Sequence, residues 1–215
     1  MKTILCYGDS LTYGANPVMG GPRHAYEDRW PTALETALQG NVRCIAEGLG
    51  GRTTVHDDWY ADADRNGARI LPTILSSHEP LDMVIIMLGT NDLKPFLGRT
   101  AQEASNGMRR LVQIVRGFAV EEKHPEPKII VVAPPHISET HHPEMLLHFG
   151  GRAAVEESQA FAKWYRQRAD EEGVAFFDAA TVAKPDPNDG VHLDAANTRA
   201  IGDGLAPLVE RLLGL

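Results

Sequence analysis

The stretch Met83-Val84-Ile85-Ile86-Met87-Leu88-Gly89-Thr90-Asn91-Asp92 says more about the fold than any other. Six apolar residues follow one another without alternation and stop at a glycine. A half-exposed strand would alternate, so residues 83–88 are predicted to form a strand covered on both faces. Residues 128–133, Lys-Ile-Ile-Val-Val-Ala, repeat the pattern and run into Pro134-Pro135-His136. Residues 3–7, 42–46 and 174–178 are further short runs rich in β-branched and apolar side chains, which brings the predicted strands to five.

Helical periodicity lies between and after these runs. Pro31 suits a first helical turn, Leu34 and Leu38 follow it, and Gly40 stops the segment. Met108, Leu111, Val112 and Val115 fall at i, i+3, i+4 and i+7, one apolar stripe along a helix. Phe161, Trp164, Tyr165 and Ala169 do the same in a segment opening near Gly151. Ile201, Leu205, Leu208, Val209 and Leu212 make the last stripe, with Asp194 as its N-cap. Pro207 inside that stripe predicts a kink or a break. Alternating strands and helices predict an α/β fold, a parallel sheet with helices on both faces.

Composition narrows the function classes. The 215 residues carry no internal repeat, low-complexity tract or long linker, so a single domain over residues 1–215 is expected. A domain of that size hides roughly 70% of the surface its unfolded chain exposes, and needs no disulfide or metal to hold it. Lys and Arg number 21 against 29 Asp and Glu, a net charge of −8. That balance argues against nucleic acid or an anionic membrane as partner, since both call for a dense basic face. The apolar run at 83–88 falls far short of the ~18 residues of a membrane-spanning helix. No secretory signal pattern opens the chain, and Cys6 and Cys44 lie in separate apolar runs as expected for buried free thiols. These features together predict a cytoplasmic protein.

In a parallel sheet every strand's C-terminal end emerges on one edge, and ligands bind there. The residues directly after the five predicted strands are therefore the informative ones. They are Gly8-Asp9-Ser10-Leu11, Gly48-Leu49-Gly50-Gly51-Arg52, Gly89-Thr90-Asn91-Asp92, Pro134-Pro135-His136 and, some ten residues past the last strand, Asp189-Gly190-Val191-His192. Acyl transfer through a serine requires such a set. A serine hydroxyl is a poor nucleophile until an imidazole takes its proton. The imidazole needs a carboxylate to fix its tautomer, and Asp189 lies three residues before His192. The backbone N–H of Ser10, that of Gly51 and the side-chain amide of Asn91 are candidate donors to the oxyanion. Singly, each piece is a turn, a bend or a helix cap. Their coincidence at one sheet edge favours a serine hydrolase.

Other patterns fit less well. The nucleophile-elbow motif G-x-S-x-G fails at Thr12, and no Walker A run or strand-linked G-x-G-x-x-G offers a phosphate cradle. His136 follows a strand and is a rival base, while His136, His141, His142 and His148 are spaced too irregularly for a metal set and suit a loop or pocket lining. Asp9 and Asp92 after the first and third strands, with Lys184 after the fifth, loosely mimic the acidic magnesium site of a receiver module, the non-enzymatic alternative.

The blocks Gly8-Asp9-Ser10-Leu11, Gly89-Thr90-Asn91-Asp92 and Asp189-Gly190-Val191-His192 resemble those of the GDSL, or SGNH, hydrolases, in the same order and across nearly the whole chain. Glu47-Gly48-Leu49, Arg52-Thr53-Thr54, the stretch from Leu81 to Asp92 and Phe176-Phe177-Asp178-Ala179 look most like the bacterial arylesterase/acyltransferase subgroup. The resemblance implies a three-layer flavodoxin-like sandwich with a five-stranded parallel sheet. It implies hydrolysis of short-chain and aryl esters through Ser10, Asp189 and His192, with Ser10, Gly51 and Asn91 at the oxyanion. It further implies no metal or organic cofactor, a small-molecule ester with an alcohol acceptor, acyl transfer to alcohols and sometimes to peroxide, and a homo-oligomer. Asp9, Leu11, Thr90, Lys94 and Val191 are the substrate-binding positions it implies. Two departures stand out. Leu193 replaces the proline that often follows the histidine, and the glycine-rich bend lacks the usual preceding asparagine, which leaves both Gly50 and Gly51 open as the donor. Gly51 is favoured because it directly precedes Arg52-Thr53-Thr54. Residues 15–28 and 137–150, with Pro17, Tyr26, Met145, Leu146, Leu147 and Phe149, are expected to shape the entrance. A carbohydrate O-deacetylase or a lysophospholipase would use the same chemistry.

Overall fold

A computed structural model describes residues 1–18, 20–122 and 125–215. Its strands are β1 (Lys2–Gly8), β2 (Val42–Gly48), β3 (Met83–Met87), β4 (Lys128–Ala133) and β5 (Ala175–Asp178). They form one parallel sheet in the order β2-β1-β3-β4-β5. The chain thus moves outward from β1 to β2, then crosses back over β1 to begin β3. Between β1 and β3 the connections leave in opposite directions and open a crevice at the strands' C-terminal ends.

The lack of alternation in β3 and β4 has a direct cause. Leu5, Tyr7, Val84, Ile86, Ile129 and Val131 point into one core, and Ile4, Cys6, Met83, Ile85, Ile130 and Val132 into the other. The helices are α1 (Ser10–Tyr13), α2 (Trp30–Ala37), α3 (Gly67–His78), α4 (Ala101–Glu121), α5 (Pro143–Phe149), α6 (Arg152–Gln159), α7 (Phe161–Glu172) and α8 (Ala195–Leu213). α3, α4, α6 and α7 pack on the first face, and α2 and α8 on the second. The predicted stripe Met108, Leu111, Val112 and Val115 is buried along α4. A capping box starts that helix: Glu103 N–H donates to Thr100 Oγ1, and Glu103 Oε2 accepts from Thr100 N–H at 3.0 Å. Among the described residues no helix is long and apolar enough to cross a membrane.

Three expectations need correction, and one helix has no predicted counterpart. α8 runs unbroken through Pro207, because Pro207 and Asp203, the residue whose carbonyl loses its partner, both lie on the exposed side. The segment after Gly151 is two helices, parted at Ala160. α3 has no counterpart among the predicted elements, since Pro72 interrupts a stripe formed by Leu71 and Leu75. Pro72 also sits on the exposed face, so the helix tolerates it. Cys44 is half-buried where full burial is expected, and Cys6 is fully buried.

Gly48 fixes how α1 meets the sheet. A Cβ there would fall 2.2 Å from Tyr13 N and 2.6 Å from the carbonyl carbon of Thr12, and backbone cannot swing aside. Gly48→Ala is therefore expected to destabilise the fold by about 2 kcal/mol. Urea unfolding of purified protein measures it, and an unchanged midpoint would contradict the close packing of α1 on β2.

Candidate active site

Three strand ends and one loop meet at the crevice. β1 ends at Gly8, and Asp9 caps α1 by accepting the Leu11 N–H on Oδ1 at 2.9 Å. Ser10 is thereby held at the first position of a one-turn helix, with its backbone N–H left free of intrahelical bonding. The loop at 186–194 approaches from the β5 side. Asp189 Oδ1 accepts the N–H groups of Val191 (2.9 Å) and His192 (2.8 Å), and its Oδ2 lies 2.6 Å from His192 Nδ1. Gly190 makes this turn possible. Its φ is +76°, and a Cβ would meet the Ser138 carbonyl oxygen at 2.5 Å.

His192 Nε2 stands 2.9 Å from Ser10 Oγ. With Nδ1–H given to Asp189, Nε2 is left as the acceptor for the serine hydroxyl, an assignment that follows from the partners. Burial pushes the Asp189 carboxyl upward, but the His192 hydrogen bond and charge and the two backbone N–H groups outweigh it and hold the group below the usual carboxylate range. His136, the rival base, is half-buried at the end of β4, and among the described residues no hydrogen bond links it to Ser10.

The glycine-rich block turns sharply after β2. Leu49 N–H donates to Gly8 O at 3.1 Å and Arg52 N–H to Leu49 O at 3.0 Å. Among the described residues the N–H groups of Ser10, Gly50 and Gly51 meet no acceptor. A Cβ on Gly50 would sit 4.0 Å from Ser10 Cβ, whereas one on Gly51 would point at Arg65 Nε (3.2 Å) and Lys94 Nζ (3.7 Å). Asn91 is buried, and its Nδ2 donates to Asp9 Oδ2 and to the Arg52 carbonyl, both at 3.2 Å. Burial raises the Asp9 carboxyl to about 6, against the Leu11 N–H and the charges of His192 and Arg52.

The remaining predicted positions divide. Thr90 is buried, with its Oγ1 unpartnered among the described residues. Lys94 is buried in an ion pair with Asp58 at 2.9 Å, both side chains nearly inaccessible. Val191 borders a cavity of about 290 Å³ lined also by Ile137, Met145, Leu146, Phe149 and Asp189. Leu11 instead packs into the core under α2 and α8. In the expected entrance segments Met145 and Phe149 are buried, while Tyr26 and Leu147 stay exposed. The receiver alternative fails here. Asp9 and Asp92 are sealed from solvent and Lys184 is exposed, so these three residues form no open acidic site.

Two residues quoted in the sequence blocks, but not assigned to the site, turn out to support it. Arg52 is buried, lies 4.3 Å over the Tyr7 ring and donates from Nη1 to Gly8 O (2.7 Å) and Glu47 O (2.5 Å). An arginine directly after a double glycine was the available signal. Asp92 accepts from Thr54 N (3.0 Å) and Thr54 Oγ1 (2.5 Å), which anchors the 52–54 loop. Burial lifts Asp92 to about 7, with the Thr54 bonds opposing. His56 Nε2 is 3.8 Å from Asp92 Oδ1, too far for a hydrogen bond, and burial lowers the His56 imidazole. Both groups favour their neutral forms, so the contact is not an ion pair.

Asp92 sets a sign for stability against pH. Its carboxyl holds a proton to about 7 when folded, against an ordinary value of 3.8. The native state binds the extra proton between those limits, so the contribution is complete below the lower value and disappears as pH rises through the upper one. Asp9 acts the same way up to about 6. Urea midpoints should fall from about pH 5 to about pH 8, and Asp92→Asn should lessen that fall. A variant that falls as far as the unaltered protein would show that Asp92 titrates as an ordinary carboxylate.

Known proteins share both the sequence blocks and the architecture. The model of the GDSL-like lipase/acylhydrolase family matches residues 6–200. A carbohydrate acetylesterase family member from Sinorhizobium meliloti is 50% identical, with a TM-score of 0.93 and complete coverage of both chains. Est24, a carbohydrate acetylesterase of the same organism, is 42% identical over 99% of this chain and 100% of its own, with a TM-score of 0.93. The aryl esterase of M. smegmatis is 41% identical over 99% of this chain and 100% of its own, with a TM-score of 0.92. No curated protein matches. With the family model covering nearly the whole length and relatives at such identity, the chain belongs to the GDSL-like lipase/acylhydrolase family and is a carboxylic ester hydrolase.

Proposed function

We propose that the protein cleaves short-chain acyl esters through an acyl-serine intermediate, with Ser10 as nucleophile, His192 as base and Asp189 as its orienting carboxylate. The observation that carries this reading is the unbroken relay from Asp189 Oδ2 through the His192 ring to Ser10 Oγ, at 2.6 and 2.9 Å. Ser10 Oγ attacks the ester carbonyl carbon while His192 Nε2 takes its proton, and Asp189 steadies the imidazolium. The tetrahedral oxyanion is met by the N–H of Ser10, that of Gly51 and the Asn91 amide. Both present bonds of Asn91 are long at 3.2 Å, and the amide exchanges one for the oxyanion. Collapse expels the alcohol, which takes the proton from His192. Water then attacks the acyl group, His192 again acting as base, and free acid and Ser10 are restored. An alcohol or a peroxide in place of water yields a new ester or a peracid.

Thr90, Lys94 and Val191 border the acyl and alcohol sites in this reading, with Asp9 and Leu11 supporting the nucleophile from beneath. Short acyl groups, rather than the chains a lysophospholipase takes, are the substrates in this reading, in line with the aryl esterase and carbohydrate acetylesterases to which the chain is similar. A carbohydrate acetate is the second reading of the alcohol side, favoured by the 50% identical structure described as a carbohydrate acetylesterase family member. Trp59 and Tyr60, each 85% exposed, and Leu147 at 80% leave apolar surface that suits association with further copies of the chain.

With a 4-nitrophenyl ester, Ser10→Ala and His192→Ala should each lower kcat by about 10⁴-fold or more, and Asn91→Ala by about 10²–10³. Full activity in Ser10→Ala would sink the mechanism. Among acetate, octanoate and palmitate esters, acetate should show the highest kcat/KM, and a preference for palmitate would overturn the short-acyl assignment. Acetylated xylan tests the sugar alternative. Light scattering should find a particle larger than the 23.5 kDa chain.

A further inference from the structure

His24 belongs to none of the blocks that supply the relay, yet it is tied to both halves of it. Its backbone N–H donates to the Gly14 carbonyl at 2.9 Å, and Gly14 closes α1 by donating to the Ser10 carbonyl at 2.9 Å. Its own carbonyl accepts twice from Arg29, at 3.1 Å from Nε and 3.0 Å from Nη2. The stem of that arginine packs on Gly14, where an added Cβ would meet its Cγ at 2.9 Å. Next to Arg29, Trp30 Nε1 donates to Thr12 Oγ1 at 3.1 Å, so residues 24–30 clasp the serine helix along its length. On the other side, His24 Nε2 lies 2.8 Å from the carbonyl oxygen of Leu193, directly after His192. The contact is buried.

Facing a carbonyl, Nε2 must carry a hydrogen, and it does so whether the ring is neutral or protonated. The bond therefore ties the 24–30 segment to the residue after His192. The rest of the His192 loop is held from elsewhere. Asp189 binds the N–H groups of residues 191 and 192, Asp186 N–H donates to His192 O at 2.8 Å, and Ser138 N–H donates to Gly190 O at 2.8 Å. Those contacts shape the loop and join it to the end of β4; toward the serine, Leu193 shares a buried cluster with Leu11, and Arg199 at the start of α8 pairs with Asp28 of the clasping segment. The serine and the imidazole are 182 positions apart in sequence, and their 2.9 Å contact depends on how two separate elements are docked.

We infer that His24 is a positioning residue for ester cleavage, a strut between the Ser10 helix and the His192 loop that sets the distance over which the serine proton is transferred. The inference rests on the Ser10–His192 reading above. It gives the 15–28 segment a task inside the site, beyond lining its mouth.

Displacing reacting groups by about 1 Å costs on the order of 100-fold in rate. His24→Phe keeps a ring of similar size and removes the N–H. It should lower kcat about 10- to 100-fold with KM within about twofold, and leave the limbs of the pH profile in place. His24→Gln restores a donor and should recover most of the loss. Phosphonylation of Ser10 by a fluorophosphonate also needs the imidazole, so its rate should fall in parallel with kcat in His24→Phe and recover in His24→Gln. If the phenylalanine variant fails to fold, His24→Leu takes its place. Wild-type kcat in the donor-less variant, equal losses in the glutamine and phenylalanine variants, or loss of kcat with an unchanged labelling rate would each overturn the strut. Absence of labelling in the unaltered protein would instead overturn the relay itself, and the strut with it.

Discussion

A single buried amide holds the crevice together. Asn91 Nδ2 gives one hydrogen to the Asp9 carboxyl and the other to the Arg52 carbonyl, and so joins the turns after β1, β2 and β3. Arg52 doubles the joint by holding the carbonyls of Gly8 and Glu47 with its guanidinium. The sheet's ladder ends at Gly8, Gly48 and Met87, so the turns beyond those residues depend on side chains to hold them together. Buried polar groups are expensive unless each finds a partner. Here the accounts do not fully balance: Arg52 Nε has no partner among the described residues, and the Asp9 carboxyl is pushed up to about 6. Such tension gathers where chemistry is done, and the packed layers on either side of the sheet sustain it.

Three aspartates show how environment divides identical side chains among different tasks. Asp189 touches an imidazole and two backbone N–H groups, and its charge is favoured. Asp9 and Asp92 are equally sealed from solvent but meet chiefly neutral donors, and burial lifts both. Negative charge is thereby concentrated at the one carboxylate aligned with the His192 ring, which the proposed mechanism makes positive during turnover. A second full charge at Asp9, bonded to Asn91, would oppose an oxyanion forming nearby. A raised Asp9 limits that opposition on the acid side of neutrality.

The sheet and the relay were legible because each obeys a local rule. Unalternating runs at 83–88 and 128–133 signal strands covered on both sides, and the Asp189/His192 spacing matches one turn of backbone. What stayed hidden depends on partners remote in sequence. Pro207 and Pro72 look like helix breakers, and only their places on the exposed sides of α8 and α3 show why both helices survive. Leu11 follows the serine, but the turn of α1 directs its side chain into the core. Arg52 could be matched to a family pattern, yet its two acceptor carbonyls lie 5 and 44 residues away. The choice between Gly50 and Gly51 stands on finer ground still. Gly50 faces Ser10 across the turn, while Gly51 faces Arg65 and Lys94.

That last geometry bears on how one scaffold accommodates different alcohols. In the proposed mechanism the groups that make and break bonds sit on the sheet's ends and on the docked 186–194 loop, held there by buried joints. The groups around them come from long connections: Lys94 and its partner Asp58, exposed Trp59 and Tyr60, and the α5 segment with Leu147. Tyr60 and Phe96 meet edge to face at 5.2 Å, forming an aromatic ridge on the same side as the Lys94 pair. None of these residues bonds to Ser10 or His192 among the described residues. Substitution there can alter which ester fits while the relay keeps its geometry, and this separation of reactive core from variable rim lets aryl and carbohydrate esters be handled by chains of closely similar backbone.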